Sequence, residues 1–153
     1  MNSKYTDIFN TLIQAYYNGN FDETLNRIMT CHEMSPQDTF HIITSLCGVD
    51  VKFDNNYLFN LKKAITDYGV NNRIVQKIRK CNVNCTIDEN DHHICQATCP
   101  FEAIKYDAKK QDTYIDPEKC VNCGLCVDVC QNGNIADKVE FFPVLDLINK
   151  NDT

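Results

Sequence analysis

The chain has 153 residues, 43% of them hydrophobic and 24% charged, with a formal net charge of −6 at pH 7. That length holds one domain or two small ones, and no run approaches the roughly 18 apolar residues of a membrane span. The acidic balance argues against a nucleic acid or an anionic membrane as partner, since both call for a basic face.

Residues 1–76 predict a helical domain. In "YTDIFNTLIQAYY", Ile8, Leu12, Ala15 and Tyr16 share one face with Phe9 and Ile13 beside it, and Gly19 is placed to end the helix. Asp22 is the expected cap of a second helix carrying Leu25, Ile28, Met29 and His32. "SPQD" opens a third, with Ser35 as N-cap, Pro36 in the first helical position and Asp38 in the first turn. Its buried stripe is Phe40, Ile43, Leu46 and Cys47, closed by Gly48. A fourth helix from about Asn56 to Tyr68 aligns Leu58, Leu61, Ile65 and Tyr68 ahead of Gly69, and "NNRIVQKIRK" predicts one more that leads to Cys81. Catalysis is not suggested here. His32 and His41 stand singly on helices, and Cys31 and Cys47 fall on apolar faces, so both thiols are assigned to the core.

The remaining eight of the ten cysteines lie between Cys81 and Cys130. The N-terminus has no continuous apolar run or small-residue cleavage site, so no export signal is read and the cytoplasm is the expected compartment. Metal ligation or redox chemistry then becomes the default for the cysteines, ahead of a disulfide scaffold. "KCNVNCTIDENDHHICQATCP" carries Cys81, Cys85, Cys95 and Cys99, with His92 and His93 in the long central gap. Taken alone, this spacing suits a zinc site, half of something larger, or a disulfide pair. "AIKYD" and "DTYID" then predict a β-hairpin from about Ile104 to Ile115.

"CVNCGLCVDVC" places Cys120, Cys123, Cys126 and Cys130 in a C-x2-C-x2-C-x3-C run. Two-residue gaps let three thiolates of one tight loop reach three corners of a cubane cluster, and Gly124 offers a position free of Cβ for close backbone approach. A zinc site needs only pairs of C-x2-C knuckles, without the third evenly spaced cysteine. Beyond it, "QNGNIADKVEFF" reads as a turn and a short edge strand. Residues 142–153 read as a tail or linker, a helix start that stops almost at once and ends abruptly for a C-terminus.

"CPFEAIKYDAKKQDTYIDPEKCVNCGLCVDVC" resembles the core of bacterial ferredoxins with two 4Fe–4S clusters. A weak internal repeat accompanies it: Cys95 aligns with Cys126, Cys99 with Cys130 and Ile104 with Ile135. The resemblance implies an α+β chain, a helical bundle followed by a ferredoxin-like domain over 77–141. It also implies two 4Fe–4S clusters, one on Cys81, Cys85, Cys95 and Cys130, the other on Cys99, Cys120, Cys123 and Cys126. His92 and His93 are not needed as ligands and are read as exposed loop residues. Two departures from the family pattern stand out: the first motif is stretched, and Gln131 replaces the proline that usually follows the last cysteine.

More loosely, the stretched first motif, "NRIVQKIRKCNVNC" and "GNIADKVEFFPVLDLI" are similar to the accessory region of some anaerobic bacterial iron-only (FeFe) hydrogenases. That likeness implies a redox partner, either a ferredoxin or a hydrogenase catalytic domain, with no catalytic site in this chain. The expected function is low-potential single-electron transfer. The alternatives are a stand-alone ferredoxin-type carrier or a module whose clusters are structural or redox-sensing.

Overall fold

This computed structural model describes residues 5–31, 33–67, 73–81, 85 and 87–151. His32, Tyr68 and Gly69, to which the sequence assigns helix positions, lie outside them. In chain order the elements are α1 (Thr6–Asn18), α2 (Phe21–Cys31), α3 (Pro36–Leu46), α4 (Tyr57–Thr66), β1 (Val75–Lys77), α5 (Ile94–Thr98), β2 (Ile104–Asp107), β3 (Asp112–Ile115), α6 (Leu125–Val129), β4 (Ile135–Asp137) and α7 (Phe141–Asn151). The chain thus mixes helices with small sheets. It divides into two units: Met1–Asn71 with Lys138–Thr153, and Asn72–Asp137.

In the helical unit the signals at Gly19 and Ser35 act as read. Gly19 ends α1 at φ 76°, a left-handed conformation that glycine adopts without Cβ strain. The Ser35 hydroxyl accepts the Asp38 N–H at 3.1 Å, satisfying one of the free donors at the start of α3. Phe40, Ile43, Leu46 and Cys47 are all buried. Asp22 lies inside the first turn of α2 and not at its cap, where it pairs with Lys62 of α4 at 3.0 Å. Cys31 is exposed, against the expectation of a core thiol, because the buried face of α2 ends at Leu25 and Cys31 closes the helix. Burial raises the Cys47 thiol far above its ordinary range.

The segment expected as a tail or linker, 142–153, instead supplies α7 to the helical unit. Phe142 is fully buried, its ring 5.3 Å from that of Tyr16, 6.0 Å from Phe21 and 6.3 Å from Phe9. Lys150 donates to the Thr66 carbonyl at the end of α4 at 2.9 Å. Gly48, at φ 75°, packs under the chain just before α7, where a Cβ would overlap the Val139 carbonyl. The helical unit is thus built from both ends of the chain.

In the second unit, β2 and β3 form the predicted antiparallel hairpin, from Ile104↔Ile115 to Asp107↔Asp112. The other sheet pairs β1 with β4, Val75↔Asp137 to Lys77↔Ile135. The helix expected over "NNRIVQKIRK" is thus replaced by a strand. Its apolar residues suit a strand as well as a helix, and pairing with a segment far along the chain decides between them. Val75, Cys95, Ile104 and Ile135 form the core of this unit, with Ile115, Val127 and Val129 packed against it.

Candidate functional site

The two short helices α5 and α6 are built alike. Each carries one cysteine in its second position, Cys95 or Cys126, and is followed by another at its C-cap, Cys99 or Cys130. Three residues beyond each C-cap the backbone turns left-handed, at Glu102 (φ 50°) and Gly133 (φ 63°). A strand then starts at Ile104 or Ile135. In both halves a backbone N–H meets the C-cap sulfur: Ala103 donates to Cys99 Sγ at 3.3 Å and Ile135 to Cys130 Sγ at 3.4 Å.

The eight cysteines gather around two cavities. Cys81, Cys85, Cys95 and Cys130 line one, together with Gln131 and Ile135. Cys99, Cys120, Cys123 and Cys126 line the other, with Gly124 in the loop between them. The last cysteine of each motif therefore faces the cavity of the other motif. Gly124 holds φ 83°, which permits the tight loop from Cys120 to Cys126.

Electrostatic contacts follow the same grouping. Burial pushes the Cys95 thiol up to about 12, and Cys81, Cys85 and Cys130 add to the shift, with a smaller part from Cys126. Burial likewise raises Cys126 to about 11, joined by Cys120, Cys123 and Cys99. Burial raises Cys85 as well, ahead of Cys81 and Cys130. Thiols so crowded resist becoming thiolates together without a cationic centre among them. Among the described residues no three His, Cys, Asp or Glu side chains converge on a point that would hold a single ion. The donor set is soft sulfur, with four cysteines lining each cavity, a chemistry that suits iron–sulfur binding.

Neither histidine is among the residues lining these two cavities. His92 is exposed, with Nδ1 3.6 Å from Asp88. The Asp88 carboxylate accepts the backbone N–H groups of His92 at 2.8 Å and Asn90 at 2.9 Å. Those bonds, that from His92 first, hold its carboxyl below the usual range. His93 departs from the exposed-loop expectation. It is half-buried at the N-terminus of α5, its ring 5.3 Å from that of Tyr106, and its N–H donates to the Gln96 side chain at 3.2 Å.

Three residues that motif spacing did not single out surround Cys81. Its N–H donates to Asp112 at 2.9 Å, Asp112 is ion-paired with Lys77, and Thr113 lies beside the sulfur. Their convergence depends on β1 meeting β3, which leaves no trace in cysteine spacing.

Residues 113–136 match the family described as the 4Fe-4S binding domain. The chain therefore carries a ferredoxin-type 4Fe–4S domain, and the match contains the whole Cys120–Cys130 motif. Over 36 residues the chain is 47% identical to one component of the Na(+)-translocating ferredoxin:NAD(+) oxidoreductase complex of Acetobacterium woodii. That alignment covers 24% of this chain and 10% of the relative's length. No solved structure matches the chain significantly. Among the described residues no helix is long and apolar enough to cross a membrane.

Proposed function

We propose that the chain relays single electrons at low potential through two 4Fe–4S clusters. Cys81, Cys85, Cys95 and Cys130 hold one, and Cys99, Cys120, Cys123 and Cys126 hold the other. The observation that carries this reading is the division of eight thiols around two cavities, with Cys99 and Cys130 each crossing to the other motif's cavity. A bound 4Fe–4S cluster supplies a one-electron centre whose potential responds to charge, solvent exposure and hydrogen bonds to sulfur. The chain's own part is to fix the thiolates, bring N–H donors to Cys99 and Cys130, and bury Cys95 in the unit's core.

A redox protein is the partner that this role requires. The net charge of −6 suits a basic docking face on that partner. A reducing compartment such as the cytoplasm suits a chain whose ten cysteines serve as cluster ligands and free thiols. The narrower role of a hydrogenase accessory region rests on the stretched first motif and its flanking segments. The aligned relative belongs by name to a different oxidoreductase complex. The proposal therefore stays with electron relay within or toward a larger redox assembly.

Anaerobic reconstitution tests it. About eight irons per chain, with visible absorption that bleaches on dithionite, are expected of two four-iron clusters. About four irons per chain would remove the first cluster. A colourless protein holding tightly bound zinc would replace the whole reading with a structural metal module.

A further inference from the structure

The first cysteine of each motif has a different neighbour. Thr113 Oγ1 stands 3.1 Å from Cys81 Sγ. Lys77 Nζ lies 3.1 Å from the same hydroxyl, and it also meets the Thr113 carbonyl and pairs with Asp112. An ammonium group can only donate, so Thr113 Oγ1 accepts from Lys77, and once Cys81 is a thiolate with no proton of its own, the Thr113 O–H is the group that donates between the two. The lysine side chain is only 14% exposed, so its charge acts in a poorly screened setting. Asp112 holds the assembly in place by accepting from Lys77 and from the N–H groups of Cys81 and Thr113, the last two at 2.9 Å.

Cys120 meets the opposite polarity. Its sulfur lies 4.0 Å from Asn122 Oδ1, an acceptor fixed by the Ile74 N–H at 3.0 Å. A thiolate gains from a donor and loses beside an acceptor oxygen.

We propose that Lys77 and Thr113 form a charge-assisted donor to Cys81 that makes the Cys81 site the more readily reduced of the two. The inference rests on the two-cluster reading above. Thr113 donates its hydroxyl proton to the sulfur, and Lys77 polarises that hydroxyl. No bond is made or broken when an external one-electron reductant such as dithionite reduces the site. Added negative charge on the sulfurs strengthens the O–H···S bond, which favours the reduced form.

Potentiometric titration of the reconstituted full chain, followed by low-temperature electron paramagnetic resonance, provides the test. Wild type should show two reduction steps. Thr113→Val and Lys77→Met should each make the upper step harder by about tenfold in equilibrium constant, equivalent to about 59 mV for one electron. The lower step should stay in place, and Thr113→Ser, which keeps the hydroxyl, should restore the wild-type value. Unchanged upper steps in both variants, or equal shifts of both steps, would overturn the proposal. If Thr113→Val fails to retain iron, Lys77→Met and Thr113→Ser still decide it. A wild-type chain without two clusters would instead refute the underlying electron-relay reading, so the two failures are distinguishable.

Discussion

Gly124 and His93 hold equivalent places, each before a five-residue helix that carries a cysteine, yet their backbones differ. Gly124 is left-handed at φ 83°, whereas His93 is extended at φ −59° and ψ 142°. The short spacing of Cys120, Cys123 and Cys126 requires the tight turn. The long gap before Cys95 does not, and a residue with a side chain fits there. This explains why the second cysteine set could be read from spacing while the first needed its partner motif. The bond between Thr113 and Cys81 was illegible for a different reason, since neither residue type nor distance along the chain announces it. At Tyr16 the residue scale also sets a pH limit. Burial, followed by the Asp146 carboxylate 3.4 Å from its hydroxyl, raises its pKa from 10.0 to about 12. The fold therefore binds that proton more tightly than the unfolded chain does. The resulting stability is complete below pH 10 and is lost as pH rises toward 12. Tyr16→Phe should shift the alkaline melting of the helical unit to higher pH, read by far-ultraviolet circular dichroism beside tyrosinate absorbance. An unchanged midpoint would mean that another group controls the transition.

At the scale of elements, local chemistry was readable and distant pairing was not. The caps of α1 and α3 and the β2–β3 hairpin depend on neighbours within a few residues, and each formed where its residues indicated. β1 depends on β4 far along the chain, and its three residues carry too little periodicity to declare a strand. α7 was obscured because "QNGNIADKVEFF" reads as a turn and an edge strand, which leaves the helix to start only at Pro143 and to stop almost at once. Proline is tolerated in a first turn because the N–H it lacks would have no helical partner there. The two phenylalanines ahead of it were the better signal. Phe142 meets Phe9, Tyr16 and Phe21, so α7 is anchored through one buried ring. Phe142→Ala should destabilise the helical unit by about 3–5 kcal/mol. Thermal melting by circular dichroism should show the loss, while iron content, which belongs to the other unit, stays at the wild-type value. Undiminished helical stability would show that α7 is dispensable.

Across the whole molecule, the two units differ in what holds them together. The helical unit has an apolar interior that includes Leu12, Leu25, Phe40, Ile43, Leu46, Leu61, Ile65 and Phe142, all nearly inaccessible to water. The Asn72–Asp137 unit has a four-residue buried cluster, of which one member is Cys95, and two separate two-stranded sheets. Isolated two-stranded hairpins are marginal in water, and a unit below about 70 residues usually needs a metal or disulfide staple. Metal binding to sites absent from the unfolded chain adds directly to folding stability. Removing iron by anaerobic chelation under reducing conditions should therefore unfold the second unit and spare the first. Hydrogen exchange followed by mass spectrometry resolves them: peptides spanning 104–115 and 125–137 should lose protection, while those spanning 36–46 and 57–66 should keep it. Persistent protection in the hairpin after complete iron loss would mean that the thiol scaffold folds without a metal staple. Cluster insertion would then follow folding, not drive it.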